Sequence, residues 1–163
     1  MSIQQANGGM WVVVCSFLVA FLLAVMPLPY SMLWARPEWV TLVLIYWVIA
    51  LPQRIGILTS FLLGLLLDSL EGAVLGQNAL SLSVVAYLAL LLYQRLRLFN
   101  MWQQASVVFV IVGINQMVGQ WLQNINGVNT GGPLFLMPVA ISALLWPGVM
   151  TLLRHLRRRY QVG

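Results

Sequence analysis

The amino-acid sequence predicts an all-α polytopic membrane protein, a single bundle of six transmembrane helices with both termini on the cytoplasmic side. Three observations lead there. Of 163 residues, 61% are hydrophobic and 7% charged, against roughly 45–50% and about 25% in an ordinary soluble domain. Eight basic and three acidic residues cannot cover the surface of an 18 kDa protein in water, so lipid is the solvent that fits. Long uncharged stretches recur between arginines, and runs such as Leu88-Ala89-Leu90-Leu91-Leu92 do not alternate as the strands of a membrane β-barrel must. Disorder is excluded by the abundance of Leu, Val, Trp and Phe.

Each span follows from walking between charges. Met1–Ala35 holds no charge, and Met10–Met26 is almost wholly apolar before Pro27-Leu28-Pro29, giving span one. No basic n-region or small-residue cleavage site marks a signal peptide, so this segment is expected to stay. Span two is Pro37–Gln53, seventeen residues between Arg36 and Arg54, about 25 Å as a helix; Pro37 suits its first turn and Pro52 its end. Span three, Ile55–Glu71, is apolar for thirteen residues and then carries Asp68 toward the membrane. Span four is Ala79–Gln94, after the turn-like Gly72, Gly76 and Asn78. The fifty-six uncharged residues Leu98–Leu153 are too long for one helix and are divided by the loop-like run Asn126–Pro133. They give spans five, Trp102–Gln123, and six, Leu134–Leu153, followed by a short basic tail, 154–163.

Arginine placement sets orientation. With both termini inside, Arg54, Arg95, Arg97, Arg154, Arg157, Arg158 and Arg159 are cytoplasmic and Arg36 alone is outside, as the positive-inside rule favours. Arg36, Glu38, Asp68 and Glu71 then gather on the outer side with a net charge of −2. The pI near 10.2 is thus a topology signal, and nucleic acid is not an expected partner, because so little polar surface offers no phosphate-binding face. Trp11, Trp34, Trp39, Trp102 and Trp121 fall near span ends, where amphipathic rings settle, while Trp47 and Trp146 are deeper and read as packing. In the tail, Leu152, Leu153, Leu156 and Tyr160 share one helical face, with arginines opposite. Arg154, Arg157, Arg158 and Arg159 are read as a topology and lipid anchor; docking to a cytoplasmic protein is the alternative. The single histidine, His155, is expected in solvent, and Cys15, the lone cysteine, fills space in a helix and allows no intrachain disulfide.

Asp68 and Glu71 share a helix face near the outer end of span three. A carboxylate inside the hydrocarbon costs a few kcal/mol, on the order of the insertion penalty, unless paired or hydrated. An Arg36–Asp68 contact is therefore expected, with Glu71 or Glu38 as competing partners. A proton or cation site is the functional reading and a helix-helix tie the structural one; no polar ladder continues through the bilayer, which favours the tie. In span five, Gly113, Gln116, Gly119, Gln120 and Gln123 form a small-and-amide stripe with Asn115 at its edge. It suits close packing within the bundle, or a face for a partner's membrane helix. Ala20-x-x-x-Ala24 and Ser60-x-x-x-Gly64 are further small-residue pairs. One His, one Cys and three acids, in no motif for nucleophilic, metal or phosphate chemistry, leave an enzyme little to work with; no cofactor or metal site is expected.

Certain runs carry a resemblance. Arg36-Pro37-Glu38-Trp39-Val40, Leu51-Pro52-Gln53-Arg54, the series Gly64-x-x-x-Asp68-x-x-x-Gly72-x-x-x-Gly76, Met101-Trp102-Gln103-Gln104-Ala105 and Leu145-Trp146-Pro147 make the chain resemble the MreD family of bacterial rod shape-determining proteins, in its proteobacterial style. The resemblance implies a non-enzymatic inner-membrane component of the cell-elongation complex. Its partner would be the single-span MreC, with RodA, a class B penicillin-binding protein and the MreB filament as further members. It implies a structural cluster of Arg36, Pro37, Trp39, Asp68, Glu71, Gly72 and Gly76 near the periplasmic face. At fold level such chains also resemble substrate-binding subunits of energy-coupling-factor vitamin transporters, in which a first-helix Ala-x-x-x-Ala engages the coupling subunit. On that reading an outward pocket would lie near Asp68, Glu71, Gln77 and Asn78.

Overall fold

Backbone N–H and C=O groups in hydrocarbon have no water to bond, so a lipid-embedded chain folds into elements that satisfy them internally. The computed structural model describes residues 9–127, 132 and 136–162, apart from the side chains of residues 33–35. Among these it has α1 (Met10–Val25), α2 (Trp39–Ala50), α3 (Ile57–Glu71), α4 (Gln77–Leu98), α5 (Met101–Ile125) and α6 (Leu136–Arg159), with a 3-10 helix, Tyr30–Ala35, between α1 and α2. No strand occurs among the described residues. Helices α4, α5 and α6 are long and apolar enough to cross a membrane; α1 and α2 are apolar but shorter.

Helix α2 is apolar on every side, the pattern of a helix enclosed by others. Leu42, Leu44, Ile45, Trp47 and Val48 are fully buried, and the helix packs against α1, α4, α5 and α6. Deep tryptophans need a partner for the indole N–H. Trp47 Nε1 donates to Ser16 Oγ of α1 at 2.8 Å. Trp146 Nε1 of α6 donates to Gln104 Oε1 of α5 at 3.3 Å, while Gln104 Nε2 donates to Leu96 O at 2.6 Å. At only twelve residues, α2 is shorter than the expected 37–53 span. Pro37 stands outside it, because Glu38 is the N-cap, and Leu51 closes it before Pro52.

Two other boundaries differ from expectation. Helix α4 extends at both ends beyond 79–94, since Gly76 can cap it early and Arg95 and Arg97 complement its C-terminal dipole. Helix α6 continues through Arg154 to Arg159, so most of the expected tail is one helix with the last span. Of the expected loop at 126–133, residues 128–131 and 133 lie outside the described residues, as does the start of span six at Leu134 and the side chain of Trp34.

The α3–α4 hairpin explains the four-residue spacing of Gly64, Asp68, Gly72 and Gly76. A Cβ on Gly64 would fall 2.5 Å from Ala79 N and 2.6 Å from Asn78 O, and nearer still to Ala79 Cα, so the absent side chain lets the two backbones touch. One turn on, the fully buried Asp68 accepts hydrogen bonds from Gly76 N–H and Asn78 N–H, each at 2.9 Å. Gly72 (φ 67°) ends α3 and Gly76 (φ 99°) begins α4, both in the left-handed region that favours glycine.

Candidate functional site

Charge divides the bundle by its ends. At one end the N-terminus of α2 meets the α3–α4 turn and gathers Arg36, Glu38, Asp68 and Glu71; at the other lie Arg54, Arg95, Arg97 and the arginines of α6. The start of α1 is also at the arginine end, where Trp11 stacks edge-on against Tyr160 with centroids 4.8 Å apart.

At the acid end the centre of the network is Glu38. Its carboxylate accepts from Thr41 Oγ1 at 2.8 Å, from Asn115 Nδ2 at 2.6 Å and from Gln116 Nε2. Its backbone N–H donates to Ser142 Oγ at 2.9 Å. One residue thereby joins α2, α5 and α6, and charge-assisted bonds of this kind are the stronger ones. Asn115 Oδ1, buried beside them, has no hydrogen-bond partner among the described residues. Glu71 accepts from Asn78 Nδ2 at 3.1 Å. A cavity of about 240 Å³ opens here, lined by Arg36, Glu38, Glu71, Asn78 and Gln116 together with Pro37 and Trp39.

The expected Arg36–Asp68 contact is not present: among the described residues Asp68 makes no ion pair, and both its oxygens are taken by the backbone N–H groups that open α4. Those donors are as good as a cation to a buried carboxylate and carry no side-chain signature. Arg36 instead faces Glu71 across the cavity. Of the remaining cluster residues, Gly72 and Gly76 shape the hairpin turn, and Gln77 is half-buried at the start of α4.

The stripe of α5 is not one surface. Gln116 turns inward onto Glu38. A Cβ on Gly113 would meet Val139 Cγ1 of α6 at 3.8 Å, and one on Gly119 would meet Ser81 Oγ of α4 at 4.0 Å, so these glycines look toward neighbouring helices. Gln120 and Gln123 are half-buried. Ala20 and Ala24 are buried in the core. Trp11, Trp102 and Trp121 are exposed near helix ends, and so is Cys15, which lines an apolar groove rather than filling the interior. In the tail, Leu153 is buried and Leu156 packs on the core, Arg157 is half-buried, and Arg154, His155, Arg158 and Arg159 are exposed.

Sequence reasoning named Glu38 only as a rival of Asp68 for Arg36, and it missed Thr41, Ser142 and Gln104. Asn115 and Gln116 were legible as amides in an apolar helix, and Glu38-x-x-Thr41 as a one-turn pair. The separation of 77 and 78 positions between Glu38 and its α5 donors hid the rest.

Long apolar helices, a core closed by buried polar ties and charges sorted to opposite ends define a helical membrane protein. The profile of the family described as rod shape-determining protein MreD matches residues 5–156. A relative, the rod shape-determining protein MreD of Haemophilus influenzae, is 35% identical over 153 residues, covering 93% of this chain and 94% of its own. The chain belongs to the MreD family. No solved structure matches it.

Proposed function

We propose that this protein is a non-enzymatic, multi-pass component of the bacterial inner membrane that binds MreC and helps position or regulate peptidoglycan synthesis for rod shape. RodA, a class B penicillin-binding protein and MreB would act in the same complex. The observation that carries this reading is the family match along nearly the whole chain. The charge distribution supports it: the three acids accept hydrogen bonds within the bundle, the one histidine is exposed, and seven arginines stand together at the end assigned to the cytoplasm. The protein would work by holding a partner's membrane helix. Gln120 and Gln123 of α5 offer amides for such a contact. The apolar groove of about 360 Å³ between α1, α2 and α6, lined by Val19, Leu23, Val43, Val149 and Leu152, offers a second seat.

A substrate-binding subunit of a vitamin-type transporter is the second reading, favoured by the outward cavity with its arginine, two carboxylates and two amides. Burial of Ala20 and Ala24 weighs against it, because a coupling subunit could not reach them without opening the core. Crosslinked pulldown from native membranes separates the two. Recovery of MreC with synthase components supports the scaffold; a vitamin-like compound co-purifying stoichiometrically without them overturns it. Crosslinker placed at Gln120, Gln123, Val19 and Leu152 then tells which seat MreC occupies.

A further inference from the structure

The arginine end holds a cavity of about 100 Å³ enclosed by the C-terminal halves of α2, α4 and α6, with Tyr46, Ala50, Arg97, Gln104, Arg154 and Arg157 around it. Three guanidinium groups from two helices converge on a space several times what a single water needs. No aspartate or glutamate lines it, and all three acids of the chain belong to the opposite end. Like charges brought together without an acidic partner repel and lose hydration, so the arrangement calls for an anion.

The hydrogen bonds show which donors are spoken for. Arg97 gives its Nε–H and Nη2–H to Ile49 O at 3.1 and 2.8 Å, capping the carbonyls that end α2. It also lies over the Tyr93 ring, 5.4 Å from the centroid. Both contacts fix the guanidinium at the cavity wall. Arg157 spends its Nε–H on Val162 O at 3.2 Å and reaches the Tyr46 phenol, and among the described residues Arg154 makes only a long contact to Met150 Sδ at 4.0 Å. Charged N–H groups are therefore left for an occupant, beside the Tyr46 phenol. Arg158 and Arg159 do not line the cavity; Arg159 lies over Tyr160 instead, 6.0 Å from the ring centroid. Of the four arginines that end α6, Arg154 and Arg157 thus line the cavity, an inward pair by position although Arg154 is itself exposed, and Arg158 and Arg159 form an outward pair.

We infer that the cavity between Arg97, Arg154 and Arg157 binds a phosphate group, the guanidinium forks holding its oxygens in the bidentate manner for which arginine is suited. The position at the end of the apolar helices puts it at headgroup level, so the phosphodiester of an anionic lipid is the source the site would meet. The inference does not depend on MreC binding.

The test uses the full chain in zwitterionic detergent, titrated with phosphatidylglycerol in mixed micelles, with phosphatidylcholine and inorganic phosphate as separate arms, read by native mass spectrometry and by thermal stabilisation. Two double variants of equal net charge are compared, Arg154→Gln with Arg157→Gln and Arg158→Gln with Arg159→Gln. The inward pair is expected to lose about tenfold or more in phosphatidylglycerol affinity, as loss of charged hydrogen bonds implies, and the outward pair less than about threefold, as exposed charges do. Arg154→Lys with Arg157→Lys retains charge without the fork and is expected to fall between; it also serves if the glutamine pair does not fold. Stabilisation by inorganic phosphate that vanishes in the inward pair, with no further gain from the lipid, supports the phosphate site and assigns a soluble source. Equal losses from the two pairs, or no saturable binding in any arm, overturn the proposal.

Discussion

Replacing Asp68 by Asn keeps the shape of the side chain and removes half of its accepting power. The wild-type carboxylate takes the N–H groups of Gly76 and Asn78, each at 2.9 Å, from a position with no exposed surface. An amide can accept one of them with its single oxygen and must point an NH₂ at the other. A buried donor left without an acceptor costs about 1–3 kcal/mol, and replacing a charged acceptor by a neutral one on the remaining bond adds to that. A loss of about 2–4 kcal/mol follows, one to three orders of magnitude in the unfolding equilibrium. Arg36→Gln, by contrast, touches neither bond and acts across an open cavity on Glu71, so its expected cost is under about 1 kcal/mol. Reversible unfolding in mixed micelles, driven by dodecyl sulfate and followed by the fluorescence of the seven tryptophans, measures both. An Asp68→Asn variant within about 0.5 kcal/mol of wild type, smaller than any of the costs above, would refute the two-bond role of Asp68, as would equal and non-additive losses in the two variants, which an ion pair would require.

Three further outcomes follow from the packing. Gly64→Val drives methyl groups into the backbone of Ala79 and Asn78; overpacking costs typically 1–3 kcal/mol, and about 3 kcal/mol or more is expected here because backbone cannot step aside, and cysteine crosslinks between α3 and α4 should weaken with it. Trp47→Phe keeps most of the buried ring and removes the donor to Ser16 Oγ, which keeps its own bond to Val13 O at 2.7 Å, for a loss of about 0.5–1.5 kcal/mol in the same unfolding assay. Glu38→Leu and Gln116→Leu should show a coupling of about 0.5–3 kcal/mol in a double-mutant cycle, since each removes the other's partner; strict additivity would place the two side chains apart.

What could be read from the sequence was what composition and periodicity encode. Apolar runs between arginines locate six helices, and Trp47 and Trp146 are interior because they sit mid-run, as their burial confirms. The Gly64–Gly76 spacing was recognisable as a pattern, but its meaning lies in backbone groups: the partner for Asp68 is sought among side chains, and the donors turn out to be two amide N–H groups that every residue type but proline carries. The Glu38 cradle was hidden for another reason. Its members come from α2, α5 and α6, and only folding puts Ser142 within 2.9 Å of a residue 104 positions earlier. The division of the basic tail was invisible too, because helical periodicity separates arginines from leucines but does not say which arginines face Tyr46 and Arg97.

If this bundle supports rod growth, cell shape depends on it. In the bacterium that encodes it, the chromosomal copy is shut off and the chain is supplied from a plasmid, with folded membrane-embedded protein quantified in the same cells. Wild type is expected to restore rods with MreC recovered in its crosslinks, and Asp68→Asn to do so in proportion to the folded protein it leaves. Cells that round up while wild-type protein is folded and abundant in the membrane, or that stay rod-shaped with none present, would contradict a role in rod growth.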